Sequence, residues 1–344
     1  MERWKHPVTS QRRNVARAGA ILTVALVCMA GCRARSASSE PSALGLERTI
    51  PLPQVVGRID HLAYDARRGR VFVAELGNGT VEGVDLATGR VIGRIGGLKE
   101  PQGLAFLPGR DELAVASGGD GSVRFYRGAD LAASGAMQIG ADADNLRIDP
   151  TSGRLVVGYG SGVLGVIDPA ARRLTAAIPL PAHPEGFQLD DERAYVNLPE
   201  AGQIAVVHLS TGRVLASWRN PGPKWNFPLA IDPKTGEVAV VYRLPGRLVI
   251  WHAASGQVRQ TLSACGDADD LFFDKPRARL YVICGQGAVD VFASTPNGYT
   301  RMARVPTRSG ARTGLFVPSL DRLFVAARAS SGAEAALLVF RPQP

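Results

Sequence analysis

The chain lacks the short motifs that mark most cofactor and hydrolase chemistry. It has no Cys-x-x-Cys-His haem site, no Walker loop, no His-Glu-x-x-His pair and no Gly-x-Ser-x-Gly elbow. Gly160-Ser161-Gly162-Val163-Leu164-Gly165 matches Gly-x-Gly-x-x-Gly in letters, but it joins two expected strands. With no helix after it, phosphate binding at a helix N-terminus is excluded. Helical periodicity is also missing: beyond the N-terminal segment no stretch sustains an apolar period of 3.6 residues. Mean hydropathy of +0.01 excludes a multi-span membrane protein. Runs of five or six like charges do not occur after residue 31.

What is present begins with an address. Arg3, Lys5, Arg12, Arg13 and Arg17 form a basic head, and Ala18 to Gly31 is an apolar run of 14 residues. That run is shorter than the roughly 20 residues needed to span a bilayer as a helix. It ends in Met29-Ala30-Gly31-Cys32, small residues before a cysteine. The pattern resembles a bacterial lipoprotein signal, with cleavage before Cys32 and lipid on its thiol; the other reading is an ordinary secretory signal and a secreted chain. The expected organisation is a signal over 1–31, a lipidated cysteine and Ser/Ala-rich tether over 32–45, and a folded domain over 46–342.

Processing changes the charge and the cysteine count. The signal carries five basic residues against Glu2, so its removal takes four of the nine net charges and leaves about five over 313 residues. Binding to nucleic acid gains little support from that balance. Cys265 and Cys284 are then the only thiols left, and in an oxidising compartment a disulfide is expected. The rival, a two-thiolate metal site, has no third Cys or His nearby in sequence.

The domain is a repeat. Leu62, Leu104, Leu146, Phe187, Leu229, Leu271 and Leu315 each open a short alternating strand, at steps of 42, 42, 41, 42, 42 and 44 residues. Every copy continues through a polar turn, a second apolar strand, a third strand ending in a turn and, in six copies, a fourth. Seven four-stranded units of about 42 residues specify an all-β, seven-bladed β-propeller. The seventh copy has only three strands, and the missing one lies at the start: Leu46-Glu47-Arg48-Thr49-Ile50-Pro51-Leu52-Pro53 mirrors Leu174-Thr175-Ala176-Ala177-Ile178-Pro179-Leu180-Pro181. The N-terminal strand is therefore expected to close the last blade.

Tyr195-Val196-Asn197, Tyr281-Val282-Ile283 and Val71-Phe72-Val73, each followed by a Gly-containing turn and another apolar strand, resemble the YVTN-repeat (YncE-like) propellers. The resemblance covers about residues 46–342, and the copies are degenerate, since Tyr195-Val196-Asn197 lacks the Thr of the name motif. It implies the propeller fold and a family of binding and scaffold proteins, with a likeness to quinoprotein dehydrogenase subunits.

By analogy with other propellers, the loops entering each first strand form the usual binding face, around the mouth of the central channel. The residue two before each opening apolar residue is Asp60, Gln102, Asp144, Glu185, Phe227, Asp269 or Thr313, and four of these seven are acidic. His61, Asn145 and Asp270 lie one residue nearer; Asp142, His183 and Asp267 lie two further out. Two readings stay open. The acids gather at the mouth to hold a ligand or a hard cation such as Ca²⁺, with Asp144, Glu185 and Asp269 as its ligands; or they hydrogen-bond the backbone of the strand entrances. His61 and His183 are placed to act as base or ligand, without an indicated third partner. Asn226 and Trp225 come from the longest connection, 219–228, where Trp225 is expected either to form an aromatic and cationic lip with Arg243 and Arg312 or to pack under its own loop.

The expectation for function is a monomeric, membrane-anchored periplasmic propeller that binds a protein or a small ligand at its mouth. The alternatives are a lactonase- or lyase-like enzyme using the acidic ring, and, third, nucleic-acid binding.

Overall fold

A computed structural model describes residues 43–344; the expected signal and the lipidation site Cys32 lie outside the described residues. Repetition at 42 residues becomes seven four-stranded antiparallel sheets, with innermost strands of neighbouring blades in contact, as Leu62–Asp65 is with both Pro101–Leu107 and Thr313–Val317. In the first blade the strands are Leu62–Asp65, Arg70–Glu75, Thr80–Asp85 and Arg90–Ile95, ordered outward from the axis. The other blades span 101–138, 146–179, 187–219, 224–263, 268–306 and 313–342.

Burial follows the same outward order. Second strands such as Glu112–Ser117 and Arg279–Cys284 are buried throughout, because both faces pack on neighbouring blades. Fourth strands such as Val258–Ser263 alternate half-buried with exposed positions at the rim. The core therefore lies between blades. Trp218 of the fourth blade stacks on Trp251 of the fifth at 5.7 Å and meets Tyr195 at 5.6 Å. Each such side chain, fully buried, contributes roughly 1.5–3 kcal/mol.

Closure is as the sequence predicts. Leu44–Pro51 pairs antiparallel with Ala336–Pro342, aligning Ile50 with Leu337, and completes the seventh blade. The strand opens two residues before the expected boundary, because Ala43 and Leu44 are already buried against the apolar face that includes Phe340. Cys265 and Cys284 are bonded, with Cα atoms 5.9 Å apart, inside the core of the sixth blade. Among the described residues no helix is long and apolar enough to cross a membrane.

On the underside two arginines staple neighbouring blades. Arg68 bonds Asp65 of its own turn at 3.0 Å and grips Asp111 of the next blade with two bonds, at 2.5 and 2.7 Å. Arg277 repeats this with Asp274 at 3.1 Å and Asp321 at 2.7 and 2.8 Å.

Candidate functional site

Each first strand begins beside the axis, so the residues just before it converge on the channel mouth. They enclose a small polar cavity of about 180 Å³. Close approach of the strand entrances holds it together. A Cβ on Gly103 would lie 2.1 Å from the Asp144 carbonyl oxygen, and one on Gly186 would lie 2.3 Å from that of Phe227. Only glycine lets one blade's entrance lie this close to the next.

Five carboxyl side chains line the cavity: Asp60, Asp142, Asp144, Glu185 and Asp269. Three arginines neutralise part of this charge. Arg58 bonds Asp60 at 2.7 Å. Arg243 and Arg312 share Asp269, at 2.5 and 2.9 Å, and Arg312 also reaches Asp267 at 3.1 Å. Arg243 lies flat over Phe227, 3.6 Å from the ring centre, a cation–π contact. His61 sits between two acids, its Nε2 at 3.6 Å from Asp60 and its Nδ1 at 3.5 Å from Asp270. Burial opposes its charged form, but the charge and hydrogen bond of Asp270, with Asp60 behind, prevail and raise its pKa to about 10. His183 contacts the Gly160 carbonyl at 2.6 Å and Asp142 at 3.5 Å.

Asp144 and Glu185 are left over. Among the described residues no Arg, Lys or His nitrogen lies within 4.0 Å of either carboxyl. Burial, then repulsion from Glu185 and Asp60, pushes Asp144 up to about 8. Burial, then Asp269, pushes Glu185 up to about 7. The two carboxyls thus exchange their protons around neutral pH, well above the ordinary carboxylate range.

The residues expected at the mouth divide. Asp60, His61, Gln102, Asp144, Asn145, His183, Glu185, Asp269 and Arg312 line the cavity together. Asn226 does not. A bulge between Asn226 and Leu229 turns its amide away from the axis, where it donates to Asn197 Oδ1 at 2.9 Å and to the Gln203 carbonyl at 3.0 Å. Asp270 does not either: it follows Asp269 in the strand, so it points the opposite way and accepts the Gly314 N–H at 2.8 Å. The expected calcium set is not gathered. Among the described residues no three His, Cys, Asp or Glu side chains form a group able to hold a metal ion, and Asp269 is already taken by two guanidiniums.

Trp225 is exposed at 45% and stacks on Phe227 at 6.4 Å. The aromatic and cationic lip therefore exists, but its arginine lies on Phe227. Sequence reasoning missed Arg58, whose only signal is its place two residues before Asp60, the spacing that puts both on one side of an extended chain.

No family model matches the chain, and no curated protein does. Its fold is similar to a chain in the crystal structure of the Mitotic Checkpoint Complex, with a TM-score of 0.72 at 16% identity over 93% of this chain and 98% of that one. It is also similar to the RRP9 WD40 repeats, with a TM-score of 0.75 at 10% identity over 86% of this chain and 97% of the other. At such identities the likeness establishes the seven-bladed propeller and nothing finer.

Proposed function

We propose that the chain is a binding propeller whose mouth cavity receives a positively charged group, the ammonium of a small amine or of a lysine on a partner protein. One observation carries this. In a cavity where Asp60 and Asp269 hold arginines, Asp144 and Glu185 have no cation of their own and have raised pKa values. A cation placed between them relieves their repulsion and takes the place of their protons. Trp225, exposed and stacked on the cavity-lining Phe227, supplies an aromatic face at the rim for the carbon chain behind the charge. A polyanion is a poor fit, because the three arginines lining the cavity are already paired with aspartates.

Calorimetry with butylammonium and with a lysine peptide tests this reading and separates the two sources. Binding of either, lost in Asp144→Asn/Glu185→Gln, supports it; unchanged binding in the double variant refutes it. Two neighbouring carboxyls titrating near neutrality also favour a second reading, general acid–base catalysis on a small substrate. Turnover of a lactone or ester that disappears in the same variant would select the second.

The resemblance to YVTN-repeat propellers and the Met29-Ala30-Gly31-Cys32 sequence support a lipid-anchored periplasmic location. Metabolic labelling with a fatty acid, compared between wild type and Cys32→Ser, tests it: label in both or in neither rejects the anchor.

A further inference from the structure

We propose that the channel holds a second site, next to the mouth cavity and sharing His61 as a wall with it, for an organic carboxylate with an apolar body. There the first strands enclose a cavity of about 370 Å³, within the range of small-molecule sites. Leu62, Leu104, Leu146, Phe272 and Leu315 line it from five different blades. Into this apolar wall is set Arg147, with the Gln188 amide beside it on the same lining.

Arg147 differs from the arginines of the mouth. Those are each held by an aspartate, whereas among the described residues no carboxylate lies within 4.0 Å of Arg147. Its guanidinium donates to the Leu146 carbonyl at 2.8 Å and lies 5.7 Å from the centre of the Phe187 ring. Asp270 borders the same cavity, but its oxygen faces His61 at 3.5 Å and accepts from Gly314. A guanidinium half out of water without a counter-ion is costly, and a carboxylate fits its two parallel N–H groups. Asp270 and Asp144 still act on Arg147 through space, so a dianion would meet more repulsion than a single charge. The apolar lining then selects a carboxylate carrying a hydrocarbon or aromatic body.

The test uses the purified full chain with benzoate as probe, and benzylammonium and inorganic phosphate as controls, followed by calorimetry. Benzoate is expected to bind, with neither control competing. Arg147→Gln should weaken it roughly ten- to hundred-fold, the loss of a charge-assisted hydrogen bond. Leu315→Trp, which fills the cavity from another blade and keeps the arginine, should also abolish binding. Glu185→Gln, which weakens the mouth but is not among the charges acting on Arg147, should leave benzoate binding unchanged, so failure here is distinguishable from failure of the amine reading. Absence of benzoate binding, displacement of benzoate by benzylammonium, or full affinity in Arg147→Gln would overturn the proposal.

Discussion

Asp144 and His61 respond to pH in ways that can be worked out separately. The folded pKa of Asp144 is raised from its ordinary 3.8 to about 8. Its contribution to stability is therefore complete below pH 3.8 and is lost as pH rises through 8. Asp144→Asn removes a charge that burial disfavours. It is expected to stabilise the fold at pH 9 by on the order of 1–3 kcal/mol, with little change at pH 4. Urea denaturation at the two pH values checks this, and equal effects at both would contradict it. His61, raised from 6.5 to about 10, contributes fully below pH 6.5 and loses its contribution as pH passes 10. At pH 7 it is charged, and His61→Gln should destabilise by leaving Asp60 and Asp270 without their shared cation. At this scale the sequence was only partly legible. Placing the acids at the strand entrances follows from the repeat, but their pairing does not. Arg243 comes from the far end of a second strand, and Arg312 from a different blade than Glu185. Asn226 was misplaced because a bulge rotates it, and a bulge leaves no mark on the count between repeats.

Strands and turns carry the next set of forces. The disulfide closes a loop of 19 residues, worth about 3 kcal/mol in the chain-entropy model. Cys265→Ala/Cys284→Ala should lose roughly that much, read as a lower denaturant midpoint. The underside staples offer a second test. Arg68→Ala leaves Asp65, which is fully buried, without its guanidinium. It should cost about 1–3 kcal/mol, and Arg68→Lys should restore only part, since an ammonium cannot grip Asp111 with two parallel bonds. A cost within error of zero would show the staple to be a solvated surface pair. Strand identities and turns were legible because alternation, β-branched content and turn residues agree along the whole repeat. The staples were not, because an Asp-x-x-Arg turn reads equally well as a local pair; its grip on the next blade depends on how the sheets stack.

The whole ring depends on its last joint. Leu44–Pro51 covers the outer edge of Ala336–Pro342, so the first described strand completes the last blade. Deleting residues 43–51 would expose that edge and the apolar faces of Leu337 and Phe340. The expected result is a lower melting temperature with association by edge pairing, seen in gel filtration. A truncated chain as stable and monomeric as the parent would contradict the closure argument. Seven-fold repetition made the architecture and the channel mouth legible at this scale, while the second cavity inside the channel was visible only once the blades were placed in a ring. The central claim concerns the mouth, and calorimetric titration of butylammonium across pH 6 to 8.5, in buffers of different ionisation enthalpy, tests it most directly. The account predicts affinity that rises with pH as Asp144 and Glu185 ionise, with proton release near pH 7 that vanishes in Asp144→Asn/Glu185→Gln. Affinity that is flat with pH, or unaltered in the double variant, would contradict it.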